Sequence, residues 1–162
     1  MNANEVGRYA TLLIAVIIAP RPSIAQAPPI TREFRVDGIA ARHPAIESGA
    51  SLVIASGIYV RNALTVAGGI TGRDSESSAV GRVEFVSRFL LDPFRESSYG
   101  LSVGGGFGVT NLAHVARWRP YLAGVLDVEL KSSPGLTPAI QLGLGGGARL
   151  GLVLRSGSDR RR

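Results

Sequence analysis

Six charged residues in this sequence are spaced so that their side chains could meet within a folded sheet. They are three arginines and three carboxylates: Arg82, Glu84, Arg88, Asp127, Glu129 and Arg149. Within residues 82–88 and 127–129 the spacing is two or a multiple of two, which places neighbouring side chains on one face of a β-strand. Such charges either line a narrow conducting path or pair with one another to fill an interior. Filling an interior requires opposite charges nearby, because a buried charge without a partner costs several kcal/mol.

The histidines and glycines give weaker signals for chemistry. His43 and His114 lie in turn-like segments, without a second histidine or a carboxylate at metal-ligand spacing, and no nucleophile elbow is present. Gly143-x-Gly145-x-x-Ala148 formally fits a dinucleotide fingerprint. It lies within an alternating segment, however, and no helix follows whose N-terminus could hold a phosphate. We therefore predict no catalytic residue, no metal and no cofactor.

Composition narrows the class of protein. The chain has 162 residues, of which 45% are hydrophobic, 21 are glycine and none is cysteine, and its formal net charge is +6. The length fits one domain, and the absence of cysteine excludes disulfides and thiolate chemistry. Basic residues alternate with acidic ones and form no continuous stripe, so we expect no nucleic-acid partner.

The two ends of the chain differ from the part between them. An apolar run at 10–19 ends at Pro20-Arg21-Pro22 and is followed by Ala25-Gln26-Ala27, the layout of a cleavable secretory signal. The run is too short for a transmembrane helix, which needs about 20 apolar residues. We predict a signal peptide with a leading helix at 1–27, a linker at 28–31, a β-domain at 32–155 and a basic disordered tail at 156–162.

The region after the predicted signal peptide alternates between apolar and small or polar residues with a period of two, which is typical of strands. Seven segments show this alternation: 32–42, 50–60, 63–72, 79–91, 97–109, 118–130 and 140–154. Turn residues separate them at Arg61-Asn62, 72–78, Asp92-Pro93, around Asn111, and at 132–137. We predict an all-β antiparallel meander of seven strands, or eight if the segment 137–155 bends at its glycine triplet.

The residue types on the two faces of the sheet predict which face points into the barrel. One face carries large apolar residues such as Leu101, Leu126 and Leu152, whereas the other is rich in glycine with scattered charges. A glycine face exposed to water would weaken a soluble sheet, but small residues suit the narrow interior of a closed barrel whose apolar face meets lipid. Aromatic residues fall near strand ends, as interfacial residues do: Phe89, Phe94, Tyr99 and Trp118.

This pattern, over residues 32–155, resembles the small outer-membrane β-barrel proteins of the eight-stranded type. The resemblance implies a closed barrel in contact with outer-membrane lipid, with a structural or interaction role and no enzymatic turnover. The six charges would then form a lumenal network, in which pairing is favoured over conduction because the interior of such a barrel is narrow. Two alternatives remain. One is a soluble exported barrel whose leucine face turns inward around an apolar ligand, and the other is a barrel-embedded lipid hydrolase dependent on His43 or His114.

Overall fold

The structure is a computed structural model that describes residues 30–73, 76–92, 99–112, 117–130 and 135–156. It contains eight strands: β1 (Ile30–Ala40), β2 (Ala45–Ser56), β3 (Val60–Arg73), β4 (Glu76–Leu90), β5 (Tyr99–Leu112), β6 (Arg117–Leu130), β7 (Leu136–Leu144) and β8 (Ala148–Ser156). The predicted signal peptide, Phe94, His114 and residues 157–162 lie outside the described residues.

The eight strands form one closed antiparallel barrel. Each strand pairs with the next along the chain, and β1 pairs with β8 to complete the closure. The predicted all-β meander closing into a small barrel is therefore confirmed. Within the described ranges, no helix is long and apolar enough to cross a membrane.

The number of strands follows from the glycine triplet. Gly145, Gly146 and Gly147 all have positive φ, a conformation that side chains with a Cβ rarely adopt, and they connect β7 to β8. The segment 137–155 therefore forms a hairpin, and the barrel has the eight strands that the sequence allowed. Because the connection has three residues, the leucines of β7 and those of β8 point to the same face, the outer one.

One predicted turn is wrong, and another begins slightly later than predicted. Arg61 and Asn62 lie in β3, and the β2–β3 connection comes earlier, at 57–59. Gly57 takes a φ of 77° there, so the glycine determines the position of the turn, and Asn62 instead donates a hydrogen bond to Ser56 across the hairpin. Asn111 lies within β5, which continues to Leu112.

The first and last strands extend slightly beyond the segment 32–155 that was predicted to form the β-domain. β1 begins at Ile30, within the predicted linker 28–31, and β8 ends at Ser156, the first residue of the predicted tail. Ile30 and Thr31 are paired with β2, whereas Ser156 is paired with Arg32 of β1. Pairing with neighbouring strands thus extends β1 and β8 slightly beyond the alternating segments.

The barrel is apolar outside and polar inside. Leu101, Leu126 and Leu152 are 37%, 40% and 64% exposed, whereas the buried set includes many charged side chains. The leucine face therefore points away from the interior. The arrangement expected for a soluble barrel, with this face turned inward around an apolar ligand, is wrong.

Candidate functional site in the barrel interior

All six charged residues singled out in the sequence lie inside the barrel, and none is more than 7% exposed. They do not form one group. Val86 separates Glu84 from Arg88 on β4, and two small apolar residues, Ala123 and Val125, precede Asp127 on β6. The interior charges consequently fall into two clusters, one towards each end of the barrel.

The first group, the loop-end cluster, lies towards the barrel end opposite the two ends of the domain. At that end β1 is followed by β2, β3 by β4, β5 by β6 and β7 by β8. The cluster contains three arginines and three carboxylates: Arg35, Arg82, Arg149, Asp37, Glu47 and Glu84. Its formal charges therefore cancel.

Arg82 is the centre of the loop-end cluster. Its guanidinium contacts Asp37 on β1, Glu47 on β2 and Glu84 on its own strand. The Nε of Arg82 donates to Glu47 Oε2 at 2.7 Å. Among the described residues, Arg82 is the only ion-pair partner of Glu47, while Arg35 also donates two hydrogen bonds to Asp37.

A two-fold contact joins opposite walls of the barrel in the same cluster. Arg149 on β8 donates from Nη1 and Nη2 to the two carboxylate oxygens of Glu84 on β4, each at 2.9 Å. These strands are four positions apart in the closed order of eight and so face each other. Tyr121 donates its hydroxyl to the same carboxylate at 2.8 Å. Charge-assisted bidentate contacts of this kind are among the stronger hydrogen bonds in proteins.

The second group, the terminus-end cluster, lies towards the end where β1 begins and β8 finishes. It also contains three arginines and three carboxylates: Arg61, Arg88, Arg155, Glu33, Asp127 and Glu129. Arg155 contacts one residue on β1 and two on β6, at 2.6–2.7 Å. Its three carboxylate partners each have a second arginine within 4 Å, supplied by Arg88 or Arg61.

Glycines on the inner face make room for these side chains. A Cβ added at Gly143 would lie 2.8 Å from the Nε of Arg149, and one added at Gly108 would lie 2.6 Å from the Tyr121 hydroxyl. Inward-facing glycines on β5, β7 and β8 thus leave space for bulky interior groups. The glycine-rich face noted in the sequence and the buried charges are complementary parts of one interior.

A half-enclosed cavity of about 360 Å³ lies at the loop end, which we call the vestibule. Glu47 and Tyr121 line it next to the loop-end cluster, and apolar side chains such as Ile39 and Val80 form part of its wall. Arg42, His43 and Arg119 also line it. The interior is therefore accessible to some depth from this end.

The predicted interfacial aromatics lie outside the barrel wall where they are described. Phe89, Tyr99 and Trp118 are 47%, 60% and 51% exposed. Phe89 and Tyr99 lie towards the terminus end, and Phe89 stacks on Tyr59 with ring centroids 5.5 Å apart. Trp118 lies near the loop end of β6, so aromatic rings stand towards both ends of the barrel.

Sequence reasoning missed half of the interior charges. The missed members of the two clusters are Glu33, Arg35, Asp37, Glu47, Arg61 and Arg155. Arg35 and Asp37 alternate with apolar neighbours within the predicted segment 32–42, so their inward facing could have been predicted. Glu47 precedes the segment 50–60 from which β2 was predicted, and Arg155 stands at the very end of the alternation.

The closed eight-stranded barrel with a polar interior and an apolar exterior is the architecture of small outer-membrane β-barrels. No protein-family model matches the sequence, and no curated protein is significantly similar to it. Solved structures do share its fold. Neisserial surface protein A has a TM-score of 0.57 at 9% identity, covering 78% of this chain and 94% of that one.

The N-terminal β-barrel domain of OprF from Pseudomonas aeruginosa has a TM-score of 0.53 at 12% identity, covering 77% of this chain and 96% of that domain. Both are eight-stranded outer-membrane barrels, so the predicted resemblance is confirmed at the level of the fold.

Proposed function

We propose that this protein is a non-enzymatic outer-membrane β-barrel with a structural or interaction role. The observation that carries the proposal is the exposure of large apolar side chains around the outside of a closed barrel. Leu122, Leu144 and Leu152 are 83%, 68% and 64% exposed. An exposed apolar surface of this extent is unfavourable in water, but it matches the hydrocarbon core of a membrane.

The strand geometry supports a membrane location. The strands contain 9 to 15 residues, and a tilted strand needs about 9–11 residues to cross the hydrocarbon core. Closure leaves no strand edge with unpaired backbone groups, which lipid would not tolerate. The aromatic rings of Phe89, Tyr99 and Trp118 are placed towards the barrel ends, and we propose that they contact the lipid interface.

The interior supports a sealed barrel over a conducting one. Each cluster brings equal numbers of arginines and carboxylates together within hydrogen-bonding distance. Ion pairs such as Arg149–Glu84 cross the lumen from wall to wall. An eight-stranded barrel has an interior only just wide enough for its own side chains. We propose that both clusters are structural and close the lumen by pairing.

Export through the predicted signal peptide 1–27 belongs to the same proposal. Cleavage after Ala27 would place Pro28 at the N-terminus of the mature protein, two residues before β1. N-terminal sequencing of protein recovered from the envelope would test this directly. Recovery of a chain that begins at Met1 would contradict it.

The membrane location is tested by fractionation, carbonate extraction and gel mobility. We expect the protein to remain with the membrane pellet after carbonate treatment, and to migrate differently on a detergent gel before and after boiling, because a closed barrel resists detergent until heated. Recovery only in the soluble periplasmic fraction would overturn the proposal.

A matched pair of variants tests whether lipid covers the outer face. Leu152 lies at the centre of β8 and Leu144 at the end of β7, and both are exposed. In lipid, Leu152→Arg should destabilise the barrel by about 2–4 kcal/mol and Leu144→Arg by about 0–1 kcal/mol. Urea unfolding in lipid vesicles measures both. In water an exposed arginine is tolerated at either position, so two small effects would indicate a soluble barrel.

A further inference from the structure

We propose that the vestibule binds a small amphipathic anion, a molecule with one carboxylate or phosphate group and a short apolar body. The site is separate from the structural role proposed above. The membrane location is tested by fractionation, carbonate extraction and gel mobility, none of which depends on a ligand. Failure of the binding experiment would therefore leave the membrane location untouched.

The size and closure of the vestibule suit a ligand. Its volume of about 360 Å³ falls within the range of about 300–1,000 Å³ that is usual for small-molecule pockets. It is open on one side, and the loop-end cluster lies beneath it. Arg149 and Glu84 of that cluster join opposite walls, so a molecule that enters from the loop end stops there.

The charge available in the vestibule is positive. Arg42 and Arg119 line it, and neither forms an ion pair with another described residue. By contrast, every arginine of the two interior clusters contacts at least one carboxylate. His43 stands beside Arg42 in the β1–β2 connection and lines the same cavity. Guanidinium groups without a carboxylate partner, at the mouth of a cavity, are suited to bind a carboxylate or phosphate.

The other polar groups of the vestibule are already engaged. Glu47 is neutralised by Arg82, and Tyr121 donates its hydroxyl to Glu84. The hydroxyls of Thr71 and Thr110 donate to backbone carbonyls at 3.0 Å and 3.2 Å. Arg42 and Arg119 are therefore the charged donors left for a ligand, and they suit a ligand with one anionic group.

The wall explains why the ligand should have an apolar part. Ile39 on β1, Val80 on β4 and Pro120 on β6 line the cavity together with the ring of Tyr121. A fully hydrophilic anion would leave this surface without a partner. A short hydrocarbon or aromatic body would cover it and gain the free energy of removing apolar area from water.

Titration of the full-length mature protein, refolded in zwitterionic lipid nanodiscs, tests the proposal by amide NMR. The probe is octanoate, with octanol as a tail without charge and acetate as a charge without tail. We expect octanoate to shift the amides of Ala45, Thr110 and Gly146, and to bind at least about tenfold more tightly than either control. Equal binding of octanol or acetate would overturn the proposal. Because the readout is local, partition of octanoate into the lipid does not imitate binding.

Two variants distinguish binding of octanoate in the vestibule from general attraction of the anion to basic residues at the loop end. Arg119→Gln should weaken octanoate binding about tenfold, because it removes a charged donor from the cavity. Arg117→Gln is the matched control, since Arg117 lies on the same strand at the same end, is exposed and does not line the cavity. Equal losses in both variants would overturn the site.

Two further measurements complete the test. Val80→Phe should fill part of the cavity and abolish the octanoate shifts, while the unheated gel mobility reports whether the barrel is intact. Unchanged affinity in an intact Val80→Phe barrel would contradict the location.

A second titration with an anionic lysophospholipid in the nanodisc distinguishes the source of the ligand. Displacement of octanoate at the same amides would identify a lipid headgroup, and no displacement would identify a free anion.

Discussion

The two interior clusters have the same composition but differ in how they share their charges. In each, one arginine contacts three carboxylates: Arg82 in the loop-end cluster and Arg155 in the terminus-end cluster. Glu47 depends on Arg82 alone among the described residues, whereas every carboxylate around Arg155 has a second arginine nearby. The two clusters have the same formal charge, but we expect them to differ in how much stability is lost when the central arginine is removed.

The largest expected effect comes from removing the central arginine of the less redundant cluster. Arg82→Met leaves the Glu47 carboxylate buried without a counter-charge, and breaking a buried pair in this way costs about 3–5 kcal/mol. Arg155→Met should cost clearly less, because Arg88 and Arg61 still contact its partners. Urea unfolding in lipid vesicles measures both variants. A larger loss for Arg155→Met would contradict the distinction between the clusters.

A double variant tests whether the unpaired carboxylate is the cause. Adding Glu47→Gln to Arg82→Met removes the orphaned charge, so we expect recovery of at least half of the lost stability. Adding Glu129→Gln to Arg155→Met is the matched control, and there we expect little recovery, because Arg61 still contacts Glu129. The lack of any rescue by Glu47→Gln would place the cost of Arg82→Met elsewhere.

Neutral hydroxyl donors give a smaller comparison. Tyr121 donates to Glu84 at 2.8 Å in the loop-end cluster, and Ser102 donates to Asp127 at 3.2 Å in the terminus-end cluster. A hydrogen bond to a charged group contributes about 1.5–3 kcal/mol, and the shorter bond should lie nearer the top of that range. Tyr121→Phe should therefore destabilise more than Ser102→Ala in the same unfolding assay, and the reverse order would count against this reasoning.

The smallest effect is expected at a pair that belongs to neither cluster. Ser51 and Thr65 share a buried hydrogen bond between their hydroxyls at 2.8 Å. Either single change, Ser51→Ala or Thr65→Val, leaves one hydroxyl unsatisfied and should cost about 1–3 kcal/mol. The double variant removes both groups and should lie close to the native protein. A double variant less stable than both single variants would show that these hydroxyls stabilise the barrel through more than their mutual hydrogen bond.

The fold could be predicted because successive side chains of a strand point to opposite faces, which produces a local alternation in the sequence. Alternation of period two assigned Leu101, Leu126 and Leu152 to one face, and that face is the outer one. Closure followed from the requirement that a sheet in lipid has no free edge. The position of the β2–β3 turn was wrong because Gly57, a single residue, outweighed the polar dipeptide that follows it.

The site was accessible to sequence reasoning only in part. Inward facing of Arg82 and Asp127 follows from alternation along each strand, but the choice of partners does not. Arg149 meets Glu84 across the whole barrel, between strands that are never adjacent. Such a contact depends on the register of all eight strands together. The vestibule was not predicted either, since its lining comes from several strands and connections at once.

The seam between the first and last strands has a consequence for assembly. In the native register Glu33 stands opposite Arg155, with Arg35 opposite Val153. A slip of two residues preserves the inward and outward faces, so hydrophobicity does not discriminate against it. One such slip would set Arg35 opposite Arg155, two cations on the inner face of the barrel. Repulsion between these two arginines therefore disfavours this mispaired barrel, which alternation alone would accept.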